Sequence, residues 1–570
     1  MAGMAVVATA ACDPAGQART YDDLPQFCQE ALPQVDSFMA ERWEEPGEER
    51  YGGTAVVGGV GELAQGMNAL ATADYASHQH QAFLNLMPLV RLDEDLAHEP
   101  YLARDWELSE DGTELTVEIR SDVRWHDGEP TTAEDVAFTF IRATSPEVGF
   151  PNYQYFRHYV PGEEGVEVVD STTLRFRMEP HADPLDPWRL LPILPEHLLG
   201  DVPPEELARH PYGLQCPVGN GPFRFVEHEE GRHWTFEANP AFPEELGGRP
   251  YLDRYVFRPI PEETTLLTEL LNGDLDVFVS PTADQTSVLE EQEHLELRHF
   301  EARDYVFVGW NTRRPGLDDP RVRRAITKAT DRRSIVDAVV GGYGSVANAG
   351  VPPFHDAHME SLADALVHDT ERAAELLDEA GWRDRDGDGV RSDAEGRELS
   401  LEILYNEGNA PRRQIAEIMQ DQLGRVGIEV EPRSMEWATL SERVLDPTGR
   451  DFDGFVMAWV PEFWIDDTQL FHSSATDQPY GWSGLQDPEL DGVLEALVEV
   501  SDPEEEAELW TRYQHRILEI QPFTYIYFRD RLAGVNRRLQ GTEMDVRGEW
   551  VNVSRWWVDP EERREGVAAR

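Results

Sequence analysis

Trp125-His-Asp-Gly-Glu-Pro-Thr-Thr-Ala-Glu-Asp-Val136 reads as a tight turn that opens directly into a helix. Asp127-Gly128 marks the turn, because aspartate bonds nearby backbone and glycine reaches positive φ without a steric penalty. Thr132 is placed to cap the helix, which continues to Ile141. On both sides the hydrophobic period changes to two: Glu114-Leu-Thr-Val-Glu-Ile-Arg120 precedes and Thr173-Leu-Arg-Phe-Arg-Met178 follows. Strict alternation marks a half-buried strand, so the helix is expected to lie between two strands.

Earlier in the chain, Gly53-Thr-Ala-Val-Val-Gly-Gly59 is an apolar strand bounded by glycines. From about residue 260 the pattern turns to α/β units. Leu266, Leu267, Leu270 and Leu271 share one helical face that stops at Gly273, and the strand Leu275–Val279 follows at once. Pro320 starts a helix with Val322, Ala325, Ile326 and Ala329 facing inward. A longer helix, about 412–426, buries Ile415, Ile418, Met419 and Leu423, ends at Gly427 and gives way to the strand Ile428-Glu-Val-Glu-Pro432. No internal repeat on the order of 20–50 residues occurs, which excludes a solenoid.

A chain of 570 residues is long enough for two or three packed lobes. Its 110 acidic residues outnumber 50 basic ones, a formal charge of -60, and Lys328 is the sole lysine. A field of that sign repels nucleic acid and anionic membrane, so neither is expected as a partner. The acids are spread along the chain, which gives a solvated surface suited to a salty medium. Residues 13–51 are acidic among Pro and Gly and are expected to be a tether. Ahead of them, Met4-Ala-Val-Val-Ala-Thr-Ala-Ala11 leads into Cys12 like the end of a lipoprotein signal, where small residues precede an acylated cysteine. Residues 1–12 form only a partial match, with no basic region and Thr9 where an aliphatic residue is usual. Export permits a disulfide between the two remaining cysteines, Cys28 and Cys216. There is no C-x-x-C pair and no run of about 18 apolar residues, so a lipid anchor is the only membrane attachment expected.

Four stretches in order resemble the dipeptide- and oligopeptide-binding components of ABC importers, extracellular solute-binding protein family 5. The first is Tyr101-Leu-Ala-Arg-Asp-Trp-Glu-Leu-Ser-Glu-Asp-Gly-Thr113 with Ile119 to Val136. The second is Val218-Gly-Asn-Gly-Pro-Phe-Arg-Phe225 with Asn239-Pro and Gly273-Asp-Leu-Asp276. The third is Gly309-Trp-Asn-Thr312 with Asp319-Pro-Arg-Val-Arg-Arg-Ala-Ile326 and Ala329-Thr-Asp-Arg332. The fourth is Ala380-Gly-Trp-Arg-Asp-Arg-Asp-Gly-Asp-Gly389, then Gly427-Ile-Glu-Val430 and the aromatic run near Trp459. The resemblance implies an α/β, two-lobed periplasmic-binding-protein-like fold of type II with a hinged cleft and an extra, mostly β domain inserted in the first lobe. Lobe I is placed at 52–88, 216–302 and 522–570, the inserted domain at 89–215 and lobe III at 303–521. It also implies an extracytoplasmic, monomeric, non-catalytic protein. Such a protein delivers a peptide or similar small solute to ABC permease subunits and needs no cofactor. The rival readings are a secreted peptidase or glycosidase and a solute-sensing receptor module.

In peptide-binding relatives a tryptophan is followed three positions later by an aspartate that pairs with the peptide's ammonium. Here Trp459 is followed by Glu462, one methylene longer. Trp459, Trp464 and Trp310 are candidate pocket walls, and Asn311, Tyr75 and Asn406 are further candidate ligand contacts. Asp384, Asp386, Asp388, Val390, Ser392 and Glu395 fit the spacing of a calcium loop, with a plain acidic turn as the alternative. His78-Gln-His80 has no partner set for a metal, and no nucleophile-elbow, zinc-protease or P-loop motif is present.

Overall fold

Asp135 holds the Trp125–Val136 stretch in shape. Its Oδ2 accepts the Thr132 amide at 2.8 Å and the Trp125 indole N–H at 3.1 Å, and its Oδ1 accepts the Glu196 amide at 2.8 Å. Thr132 and Asp135 thus form a capping box for the helix Ala133–Ala143. Gly128 sits at φ +97°, and a Cβ there would meet the Phe38 ring at 2.6 Å, so the turn needs glycine twice over. The Gly219 amide donates to His126 Nδ1 at 3.2 Å, and His126 Nε2–H donates to the Gly221 carbonyl at 3.0 Å. The turn and the Val218–Phe225 stretch, two separate sequence motifs, are therefore one piece of scaffold.

The structure, a computed structural model, describes residues 11–12, 18–19, 25–42, 50–71, 74–181, 183–447, 449–500 and 502–563. By its internal packing the chain divides into one unit of residues 1–281, 285–298 and 532–570 and another of 282–284 and 299–531. The second unit runs to 299 and 531 rather than 303 and 521, because both crossings fall inside strands, Leu295–Trp310 and Phe523–Asn536. Residues 89–215, expected as an inserted domain, count with the first unit. They carry a four-stranded antiparallel sheet in the order Ala103–Leu108, Glu114–Ile119, Thr173–Arg177, Val166–Asp170. Trp125, Phe140, Phe176 and Trp188 fill the core between that sheet and its helix.

In the rest of the first unit, Thr54–Gly59 pairs in parallel with Arg254–Pro259 and Val277–Val279, and the hairpin Phe223–Glu229/His233–Ala238 extends the edge. The helix Glu263–Asn272 buries Leu266 and Leu270 against this sheet and ends on Gly273 at φ 77°, the left-handed cap glycine favours. Part of the expected tether is a helix instead: Gln26–Ala40 buries Cys28, Ala31, Val35 and Met39. The acids lie on its other face, so a composition that suggests a linker also has a period of 3.6 on its apolar side. Cys28 is bonded to Cys216, 188 residues on, with Cα atoms 5.7 Å apart. Residues 1–10 and the Cys12 side chain, where the signal and acylation were placed, lie outside the described residues. No described helix is long and apolar enough to cross a membrane.

The second unit is a sheet in the order Phe523–Asn536, Leu295–Trp310, Gly454–Trp459, Ser400–Asn406, Glu429–Met435. Val322, Ile335, Ala373 and Ile415, from four helices, cover one face. Leu440, Leu490, Leu509 and Tyr513, from three others, cover the opposite face.

Candidate functional site

Three strands of the second unit, Ser400–Asn406, Glu429–Met435 and Gly454–Trp459, run parallel and point their carboxyl ends the same way, the last reaching past the other two. The carboxyl edge of parallel strands is where α/β folds place ligands, because loops there leave the sheet freely. This edge gathers Asn406, Trp459 and the segment after it. Leu295–Trp310 runs antiparallel and pairs Tyr305 with Trp459, which sets Arg303 beside that segment. Arg303 Nη1 donates to Glu462 Oε2 at 2.7 Å and to the Pro461 carbonyl at 3.3 Å, while its guanidinium lies 4.8 Å over the Phe463 ring. Trp459 is half-buried and meets Tyr480 and Trp482 edge to face at 5.6 and 5.7 Å. Trp464 is half-buried beside the fully buried Asp467.

Asn406 Oδ1 accepts from Arg412 Nη1 at 2.8 Å, and the Arg412 guanidinium lies 5.9 Å from the ring of exposed Trp437. Desolvation lowers the pKa of Arg412, and among the described residues no carboxylate pairs with it. Arg303, Arg412, Tyr480 and Trp482 were not foreseen. Nothing local marks them: Arg303 lies 159 positions before its carboxylate partner.

Two expected contacts belong to the scaffold. Trp310 is fully buried, donates to Thr524 Oγ1 at 3.0 Å and presses on Gly454, where a Cβ would come within 2.6 Å of its ring. Asn311 is buried, with its amide given to the Arg450 and Phe452 carbonyls and its oxygen accepting from Arg313. Register explains this: Trp310 pairs with Gly454, the far end of the strand whose near end is Trp459, about 17 Å away at 3.4 Å per residue. Tyr75 lies in the first unit and donates to Glu549 at 2.8 Å.

Of the calcium-loop residues, Asp384, Asp386 and Asp388 bring carboxylate oxygens within 4.8 Å of one another, all exposed. Each also accepts a local amide, from Gly387, Asp388 and Val390 respectively. Ser392 instead bridges to Arg383 and Glu398, and Glu395 reaches Arg397 at 3.8 Å. Glu395 does not join the carboxylate group of the first three.

The sequence profile of the bacterial extracellular solute-binding proteins, family 5, middle region, matches residues 97–481. The chain belongs to this family. It is thus an extracytoplasmic solute-binding protein. This family 5 protein is 30% identical over 514 residues to the oligopeptide-binding protein AppA of Bacillus subtilis, covering 90% of this chain and 93% of that one. The solved structure of AppA in complex with a nonapeptide superposes with a TM-score of 0.72 at 29% identity, over 90% of this chain and all of the other. CtaP of Listeria monocytogenes, at 21% identity, shares the fold with a TM-score of 0.77 over 90% of this chain and all of that one. A putative ABC transporter peptide-binding protein of Brucella ovis is 29% identical over 64% of this chain and 65% of its own length.

Proposed function

We propose that this solute-binding protein captures peptides outside the cytoplasm and hands them to the membrane permease of an ABC importer. What carries the reading is the Glu462 carboxylate beside half-buried Trp459 at the strand edge, in a chain similar over most of its length to an oligopeptide-binding protein. A zwitterionic chain needs an anion for its amine and a cation for its carboxylate. Glu462 is the anion, and Arg412, desolvated and without a carboxylate partner among the described residues, is the cation. Arg303 already holds Glu462, so the peptide amine shares that carboxylate.

Glu462 keeps 39% of its side-chain surface exposed, so solvent screens the contact. The loss on Glu462→Gln is therefore expected at about 1–2 kcal/mol, roughly tenfold, below the 2–5 kcal/mol of a fully desolvated pair. Calorimetry with a short peptide and its N-acetylated form decides this. Acetylation and Glu462→Gln should each weaken binding about tenfold, and together no more than either alone. If the wild type takes both forms alike, the amine anchor is wrong. If no peptide binds while another solute co-purifies, the peptide reading itself fails.

Acylation of Cys12 and a monomeric state belong to the same reading, and the mass of the native protein and its sedimentation test them. Calcium at Asp384, Asp386 and Asp388 is supported by the convergence of their carboxylates and opposed by the absence of Glu395 from that group. Calcium added to chelator-treated protein should raise Tm by mass action. No shift at millimolar calcium excludes the site.

A further inference from the structure

We propose that the second unit holds another small-molecule site, beneath residues 347–363, that takes a primary amine with a compact apolar body. A cavity of about 570 Å³ lies there, within the usual size for ligands of that class. Ala302, Val346, Ala349, Val351, Leu362 and Phe528 give it an apolar body. None of the residues placed at the strand edge above lines it.

The covering segment is built to keep this space open. Arg332, fully buried and paired with no carboxylate among the described residues, donates to the carbonyls of Ala347, Tyr525 and Leu366 and to Asn348 Oδ1. Asn348 in turn donates to the Leu362 carbonyl at 3.1 Å. Gln514, on the helix Pro503–Ile520, accepts from the Met359 amide and donates to the Ala357 carbonyl at 2.7 Å. The segment is therefore pinned at both ends and in the middle, and it cannot collapse onto Phe528 without losing these bonds.

Charge complementarity names the ligand. Three carboxylates face the cavity, Glu301, Glu360 and Asp530. Its two arginines are engaged elsewhere: Arg529 with Asp304 at 3.0 Å and Arg333 with Asp337 at 3.4 Å. Among the described residues, neither Glu301 nor Glu360 makes an ion pair, and Asp530 has only the exposed His299 at 3.4 Å. Partial desolvation and then the neighbouring Asp530 raise the Glu301 pKa, while His358, which also lines the cavity, opposes them only in part. An ammonium group on an apolar stem answers both features at once. A plain cation gains nothing from the apolar walls, and a neutral alcohol can give Glu301 a hydrogen bond but no charge.

The test is calorimetric titration of the whole protein with n-hexylammonium, ethylammonium, 1-hexanol and hexanoate in moderate salt. Hexylammonium should saturate one site and bind at least about tenfold tighter than the other three probes. Glu301→Gln, a change at an exposed position, should bring hexylammonium to within a few-fold of hexanol. Ala349→Phe should fill the cavity and abolish binding of both. Glu462→Gln should leave hexylammonium binding unchanged, which separates this site from the peptide reading. Absence of saturable binding, equal binding of ethylammonium, or indifference to Glu301→Gln would each overturn the proposal.

Discussion

Asp467→Asn is expected to make the protein more stable at pH 8 and to flatten its stability profile between about pH 4 and 7. Asp467 is fully buried under the segment that carries Glu462 and Trp464. Burial pushes its carboxyl up to about 7 from 3.8; the Tyr513 hydroxyl, which donates to Oδ2, opposes this, and Asp466 adds to it. The folded state therefore holds a proton that the unfolded state releases between those two values. Stability from this group is fully present below the unfolded value and is lost as pH rises through about 7. A gap of about three units corresponds to about 4 kcal/mol as an order of magnitude. Asparagine stays neutral and its oxygen still accepts from Tyr513, so the variant avoids that loss. Denaturant unfolding at pH 4 and pH 8 checks it: the two proteins should be close at pH 4 and apart at pH 8. A residual slope should remain, because burial and Asp186 also push Asp183, in the first unit, up to about 7. A variant no more stable than wild type at pH 8 refutes the assignment.

Reduction of the Cys28–Cys216 disulfide should cost at least as much. The bond closes a loop of 188 residues, for which chain entropy gives about 5 kcal/mol. In a unit of this size that lowers the first melting transition by about 7 °C. It also loosens the Gln26–Ala40 helix, which is then held by attachments that include buried Ala31, Val35 and Met39, the Phe27 ring against His210 at 4.8 Å and a partly exposed contact of Arg224 with Asp36 at 3.2 Å. Limited proteolysis should then cut within 26–40 in the reduced protein and in a Cys28→Ser/Cys216→Ser variant, but not in the oxidised one. An unchanged transition together with a protected helix would show that packing alone holds the segment.

What the amino-acid sequence by itself determined is local. The Trp125–Val136 turn and cap, the alternating strands around it and the apolar faces of the helices at 263–272, 320–329 and 410–424 all lie where their patterns put them. Period, capping residue and glycine position act over a few residues, so each is written in the chain where it operates. The same is true of Trp459 and Glu462, whose spacing reports one strand end. The pairing of Glu462 with Arg303, the burial of Trp310 and Asn311, the ordering of part of an acidic leader, and the cavity beneath 347–363 have no local signature. Each depends on strand register or on side chains more than a hundred positions apart, and only the tertiary structure decided them. Trp310 and Trp459 make the point most directly: both are tryptophans beside sheet strands, and both suit a pocket wall by composition. Pairing of Tyr305 with Trp459 and of Trp310 with Gly454 puts one at the open edge of the sheet and the other in its core. A residue's chemistry sets what it offers to a ligand, while register sets whether a ligand ever meets it.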